Sequence, residues 1–129
     1  MAKYLWACWD GGGNLTPSLG IARELERRGH EVQFHGRPDM VGRVTAAGLP
    51  AFELAHSYTA LERYSFHPLA TVFGYTSSPL VGEELVDVIA REQPDAVVVD
   101  AMFSAGLQVA PRFARPTGVM VHTFLHRIL

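Results

Sequence analysis

The stretch "KYLWACWDGGGNLTPSLGIARELERRGHEVQFHG", residues 3–36, decides the fold of this chain. It opens with an apolar run, 3–9, that is typical of a strand buried on both faces. Three consecutive glycines follow, and then a helical pattern with Thr16 as its cap and Pro17 at its first position. A second strand is predicted over 30–36. A strand, a helix and a second strand in this order form one unit of a parallel sheet.

The rest of the chain repeats this alternation. Further strands are predicted over 49–54, 95–100 and 117–124, and further helices over 38–48, from about 81 to 92, and over 104–113. Because crossovers between parallel strands are right-handed, we expect a doubly wound, mostly parallel, Rossmann-like α/β sheet of about five strands in the order 3-2-1-4-5.

Such a sheet places its ligands beyond the carboxyl ends of the strands, at the point where the strand order reverses. In this chain that point lies between the first and fourth strands. Asp10 and Asn14 follow the first strand, and Asp100 ends the fourth. We therefore expect these three side chains to converge on one crevice.

Composition limits the classes of partner. The 129 residues are 48% hydrophobic and 19% charged, with a net charge of −2, so there is no electrostatic footprint for nucleic acid or an anionic membrane. No apolar run is long enough to span a membrane, and the histidines show no metal-binding spacing. Cys8 is the only cysteine, which fits a buried thiol and a reducing cytoplasm.

The glycine turn allows several interpretations. Its glycines can serve only a tight turn, although three in a row suggest that a ligand approaches the backbone. A dinucleotide fingerprint is broken, because Thr16 stands where the third glycine belongs and Arg37 follows the second strand. An NADP-dependent oxidoreductase and a non-catalytic, flavodoxin-like binding module remain as alternatives.

Two segments resemble GT-B fold glycosyltransferases of the antibiotic and natural-product type. They are the turn and helix with Gly12, Gly13, Pro17 and Leu19, continuing into "RGHEV", and the later segment "PDAVVVDAMFSAGLQVA". The resemblance implies that residues 1–129 are a single, shortened N-terminal acceptor-binding domain. It implies a small hydrophobic acceptor, a nucleotide-diphosphate sugar as co-substrate, and no cofactor held by this chain. A C-terminal donor domain or a partner chain would complete the enzyme, and the chain alone would not transfer sugar.

In the family this resembles, a histidine in the glycine turn acts as general base, and an aspartate after the fourth strand orients it. Asp100 matches that aspartate, but Asn14 fills the place of the histidine. Three readings follow: Asn14 positions the acceptor while Asp100 or Asp10 takes the proton, the acceptor is acidic enough to need little help, or the chain only binds. Asn14 and Asp100 can also be mere helix caps.

Further residues are candidates for contact with the acceptor. The long segment 55–79 is rich in aromatic side chains, which either line a flat pocket or form core beneath a loop. His122 is either packed in an apolar run or part of the site. The substrate-binding candidates are Gly12, Gly13, Tyr64, Phe66, His67, Phe73, Met102 and His122.

The last predicted strand, 117–124, leaves an apolar edge open. Open apolar edges pair with other chains. We expect self-association through this edge or through the tail 124–129.

Overall fold

The computed structural model describes residues 1–56, 74 and 76–122. Strands and helices alternate along these residues as predicted. The strands are β1 Lys3–Ala7, β2 Glu31–Gly36, β3 Ala51–Glu53, β4 Ala96–Asp100 and β5 Thr117–Met120; the helices are α1 Leu15–Arg27, α2 Pro38–Ala46, α3 Pro79–Glu92 and α4 Ser104–Val109, followed by a 3-10 turn, Ala110–Phe113.

The five strands form one parallel sheet in the order β3-β2-β1-β4-β5, which confirms the predicted topology. The central strand β1 pairs with β2 on one side and with β4 on the other, so Tyr4 lies opposite both Val32 and Ala96. The order reverses between β1 and β4. The turns that follow these two strands therefore leave the same edge of the sheet.

The sheet is covered on both faces, as the apolar runs of β1 and β4 require. One core lies beneath α1 and α2 and includes Trp6, Phe34 and Met40. The other lies beneath α3 and α4 and includes Leu5, Leu85, Val99 and Phe103. Alternate residues of β1 thus enter opposite cores, because successive side chains of a strand point to opposite faces.

Helix α1 departs from the prediction at its start. It begins at Leu15 with Asn14 in the capping position, rather than at Pro17 with Thr16 as the cap. Its buried face includes Ser18 and Ala22, whereas Ile21, which shares the i, i+3, i+4 spacing of that face, is 43% exposed. The helix is followed by Gly29 with φ +85°, a left-handed conformation that glycine adopts readily.

The helix predicted over 104–113 divides into α4 and the 3-10 turn. Pro111 stands in the first part of that turn. A proline has no N–H to donate, and its ring crowds the carbonyl four residues earlier, so an α-helix cannot continue through it.

None of the helices within the described part of the chain is both long enough and apolar enough to cross a membrane.

Candidate functional site

The turns after β1 and β4 meet at the reversal point of the sheet. Asn14 Nδ2 donates a hydrogen bond of 3.1 Å to Asp100 Oδ2, across 86 positions of sequence. Both residues are buried, with exposed fractions of 5% and 1%. The convergence expected from the strand order is thus observed, and the two side chains contact each other directly.

Asn14 uses its carboxamide to tie this junction together. Its Oδ1 accepts from the Gly11 N–H at 2.7 Å, and its Nδ2 donates to the Trp9 carbonyl at 2.7 Å as well as to Asp100. It occupies the capping position of α1, but its side chain makes no capping hydrogen bond to that helix. The interpretation of Asn14 as a mere cap is therefore wrong, because its polar atoms serve the glycine turn and Asp100 instead.

Asp100 makes polar contacts with three different segments. Its Oδ1 accepts from the Met102 N–H at 2.9 Å, its Oδ2 accepts from Asn14, and both oxygens lie near His122 Nε2. The next helix, α4, begins only at Ser104 and has no side-chain cap. Asp100 thus closes the turn after β4 without capping a helix, and its carboxylate is held in one orientation.

His122 lies just past β5, the neighbour of β4, and its ring reaches back to Asp100. Nε2 of His122 is 3.0 Å from Oδ2 and 3.2 Å from Oδ1 of that carboxylate. Its side chain remains 9% exposed, against 1% for Asp100. The structure therefore places a histidine on Asp100 after all, from the end of β5 and not from the glycine turn.

Asp10 is committed to a different set of contacts. Its Oδ1 accepts from the Gly12 N–H at 2.9 Å and from Arg43 at 2.8 Å. Arg43, on α2, also donates to the Gly12 carbonyl at 3.1 Å and to the Thr16 hydroxyl at 3.3 Å. Asp10 and Arg43 together clamp the glycine turn from its outer side.

Each glycine of the turn has its own environment. A methyl group on Gly11 would lie 2.6 Å from Cη2 of Trp9, and Gly12 has φ +93°. Gly13 has neither constraint, since nothing lies within 4 Å of the position its methyl group would take. Packing and backbone conformation inside the chain therefore account for Gly11 and Gly12, and Gly13 is the glycine that leaves open space.

The thiol of Cys8 lies beneath this junction and is buried, as the sequence predicted. Burial raises its pKa far above the usual range, and the negative charges of Asp100 and Asp10 add to the effect. A thiol held in its neutral form is a poor nucleophile. Cys8 therefore belongs to the core under the site, where its thiol is held in the neutral form.

The remaining candidates divide by location. Met102 is 47% exposed beside Asp100, on the accessible rim of the site together with the glycine turn. Tyr64, Phe66, His67 and Phe73 lie outside the described residues. Over the ranges 1–56 and 76–122, no three His, Cys, Asp or Glu side chains gather in a way that could hold a metal ion.

A separate groove of about 420 Å³ lies between the 3-10 turn and β5. Its lining includes Leu107, Pro111 and Val119, and none of the residues that surround Asp100. This groove belongs to the edge of the sheet and not to the candidate site.

Sequence reasoning did not find two residues that shape the site. Arg43 lies 33 positions from Asp10, and Trp9 has no pattern that predicts packing onto Gly11. Only the basic side chain of Arg43 on a predicted helix was a signal, and solvated arginines on helices are common.

The strand order and the helices on both faces match part of the fold of GT-B glycosyltransferases of natural-product biosynthesis. The glycosyltransferase VinC, solved in complex with dTDP, matches 89% of this chain with a TM-score of 0.68 and 21% identity. SsfS6 from Streptomyces sp. SF2575, complexed with thymidine diphosphate, matches 92% with a TM-score of 0.69 and 22% identity. The calicheamicin glycosyltransferase CalG4 matches 92% with a TM-score of 0.58 and 25% identity.

The chain spans only about a third of each of these proteins, namely 33% of VinC, 38% of SsfS6 and 32% of CalG4. No protein-family model matches the chain, and no curated protein matches its sequence. The resemblance to antibiotic glycosyltransferases is thus confirmed at the level of the fold.

Proposed function

We propose that this chain is the acceptor-binding half of an inverting glycosyltransferase that modifies a small hydrophobic natural product. The observation that carries the proposal is the buried carboxylate of Asp100 at the reversal point of a fold shared with natural-product glycosyltransferases. A nucleotide-diphosphate sugar would be the co-substrate. The rest of the enzyme, a donor domain or a partner chain, would bind it.

The acceptor would lie on the accessible rim of the site. Gly12, Gly13 and the exposed side chain of Met102 surround the junction of Asn14 and Asp100. An apolar rim next to a few fixed polar groups is the usual composition of a small-molecule site. Tyr64, Phe66, His67 and Phe73 would supply the aromatic walls of the acceptor pocket.

The reaction needs an acceptor hydroxyl to attack the anomeric carbon opposite the diphosphate. The hydroxyl is a weak nucleophile, so its proton must leave as the new C–O bond forms. In this proposal Asn14 and Asp100 fix the geometry of the group that receives the proton. Asp10, paired with Arg43, keeps the glycine turn in place.

Binding by the purified chain tests the proposal against its alternatives. We expect 2-naphthol, a flat aromatic alcohol, to bind in a calorimetric titration, and thymidine diphosphate and NADP not to bind. Binding of NADP would favour an oxidoreductase domain, and binding of the diphosphate alone would favour a flavodoxin-like module. Failure of the aromatic alcohol to bind would contradict the proposal.

A matched pair of variants locates the binding. Met102→Lys places a charge on the apolar rim and should weaken naphthol binding roughly tenfold, because the charge loses water when the ligand binds. Ile21→Lys changes a similarly exposed apolar residue on the outside of α1 and should leave the affinity unchanged. An equal effect of both variants would place the ligand elsewhere.

Sugar transfer provides an independent measurement. The chain alone should show no turnover with any nucleotide sugar, because it spans about a third of the structures it matches. Measurable transfer by the isolated chain would show that it already contains a donor site.

A further inference from the structure

The candidate site contains three acidic or amide groups that cannot easily receive a proton from a bound alcohol. Asp100 is 1% exposed, accepts from two N–H donors and lies against the ring of His122. Asn14 is a carboxamide, which does not accept a proton near neutral pH, and its amide is hydrogen-bonded inside the chain. Asp10 is held in an ion pair with Arg43.

His122 differs from these groups in chemistry and in exposure. An imidazole gains and loses its proton near neutral pH, which suits a general base. Its Nε2 lies on Asp100, and no described residue hydrogen-bonds its other ring nitrogen, Nδ1. Its side chain keeps 9% of its surface exposed, which is more than Asp100 keeps.

We propose that His122 is the general base of this site, with Nδ1 as the proton-accepting atom and Asp100 and Asn14 as its positioning residues. This inference rests on the proposed function. The Asp100 carboxylate accepts the Nε2–H, which fixes the tautomer that leaves a lone pair on Nδ1. Asn14 in turn holds Asp100 at 3.1 Å. The base thus comes from the end of β5, and Asn14 of the glycine turn holds the carboxylate that orients it.

The proposed step balances as follows. The acceptor oxygen forms a bond to the anomeric carbon of the nucleotide-diphosphate sugar and passes its proton to Nδ1 of His122. The bond between the anomeric carbon and the diphosphate oxygen breaks, and its electron pair leaves with the diphosphate. Asp100 stabilises the imidazolium, which then releases its proton to water. Asp100 is the charged side chain that the described residues place in contact with the ring.

The test compares 2-naphthol with 2-methoxynaphthalene, its methyl ether, as ligands of the chain. Only the alcohol can donate to Nδ1, so we expect it to bind about 3- to 10-fold more tightly at about pH 8. Protonation fills the Nδ1 lone pair, so the preference should fall towards one at about pH 5. This pH dependence is a signature that a purely structural histidine would not produce.

Two substitutions separate His122 from the other histidines. In His122→Gln the side chain can still donate to Asp100 but does not titrate, so the preference for the alcohol should no longer change between about pH 5 and pH 8. His30→Gln changes a histidine at the opposite end of the sheet, where Nδ1 accepts from the Ala2 N–H, and should keep the wild-type pH dependence.

The tautomer of His122 can be measured in the wild-type chain by nitrogen-15 NMR, whether or not the variants fold. We expect the neutral ring to carry its proton on Nε2. A proton on Nδ1, or the same pH dependence in His122→Gln as in the wild type, would overturn the inference while leaving acceptor binding intact. If neither naphthalene ligand binds, the proposed function fails, and this inference fails with it.

Discussion

Asn14 makes three hydrogen bonds with its carboxamide, which is more than an imidazole could make at this position. Its one acceptor and two donor hydrogens reach the Gly11 N–H, the Trp9 carbonyl and Asp100 at the same time. An imidazole has only two ring nitrogens and could not make all three bonds. Asparagine at this position therefore ties the turn to Asp100, and the imidazole that contacts Asp100 comes from His122 instead.

Gly11 and Gly13 should respond very differently to the same substitution. In Gly11→Ala the new methyl group would lie 2.6 Å from the Trp9 ring, which packs against the core beneath α3 and α4, so we expect the free energy of unfolding to fall by about 1–3 kcal/mol. Gly13→Ala places its methyl group in open space and should leave stability nearly unchanged. Urea denaturation measures both. Equal stabilities for the two variants would contradict the packing of Trp9 on Gly11.

His35 should make the fold sensitive to mild acid. Burial lowers the pKa of its ring to about 4, and Nε2 has no hydrogen-bond partner among the residues that the structure describes. Between about pH 6.5 and pH 4, the His35 ring therefore binds a proton in the unfolded chain but not in the folded chain. Stability is full above the ordinary pKa of about 6.5 and is lost as the pH falls towards 4, by up to roughly 3 kcal/mol.

His35→Leu should remove this loss between about pH 6.5 and pH 4, because the titrating ring is gone. Glu92 affects stability in a different pH range. The hydrogen bond from Lys3 lowers the pKa of Glu92 to about 2, so its contribution to the free energy of unfolding is lost only below about pH 4.5. Urea denaturation midpoints of both proteins, measured between about pH 6.5 and pH 4, test this. If the midpoint of His35→Leu falls with pH as steeply as that of the wild type, His35 does not titrate as a buried ring.

At the scale of elements, helices α3 and α4 pack closely because a glycine lies between them. A methyl group on Gly82 of α3 would be 3.0 Å from the Ala105 carbonyl oxygen of α4 and 3.3 Å from Val109. The carbonyl belongs to the backbone, so it cannot turn aside as a flexible side chain would. The two helices would have to move apart.

Gly82→Ala should therefore lower the free energy of unfolding by about 1–2 kcal/mol, even though alanine favours helices over glycine. Gly20→Ala is the matched control, since Gly20 lies in α1 with nothing near its missing methyl group. That variant should gain up to about 1 kcal/mol. A stabilised Gly82→Ala protein in thermal or urea unfolding would show that α3 and α4 are not in close contact.

At the scale of the whole molecule, β5 leaves one side of the sheet unpaired within the described residues. It pairs with β4, while Val119, which lines the groove under the 3-10 turn, is 51% exposed, and Val121, just past the strand, is 42% exposed. An open strand with exposed valines is a template for a second strand. We predict that a second copy of this chain pairs with it, and that light scattering shows mass rising with concentration.

Val119→Lys should reduce this association, because a charge on an edge strand opposes pairing. Ile21→Lys adds the same charge to α1, away from β5, and should associate like the wild type. A monodisperse monomer at high concentration for the unmodified chain would contradict the prediction. The tail 124–129, the other predicted contact, lies outside the described residues.

The sequence predicted the sheet well because its signals are local and repeated. The strands alternate with helices that have caps or breakers, β1 and β4 are apolar runs, and the handedness of crossovers then favours the order observed. Errors fell at boundaries, where neighbouring contacts decide. Thr16 was predicted to cap α1, but the turn folds so that Asn14 holds that position and bonds elsewhere.

The sequence alone determined the strand order and the meeting of Asn14 with Asp100 at the reversal point, because periodicity and chain turns encode both. Its glycine-turn and fourth-strand motifs also carried the resemblance to glycosyltransferases. Only the tertiary structure decided that His122 lies on Asp100 and that Arg43 holds Asp10. These pairs join separate elements that packing brings together. A contact of that kind depends on distances of a few ångströms between side chains, and no spacing along the chain records them.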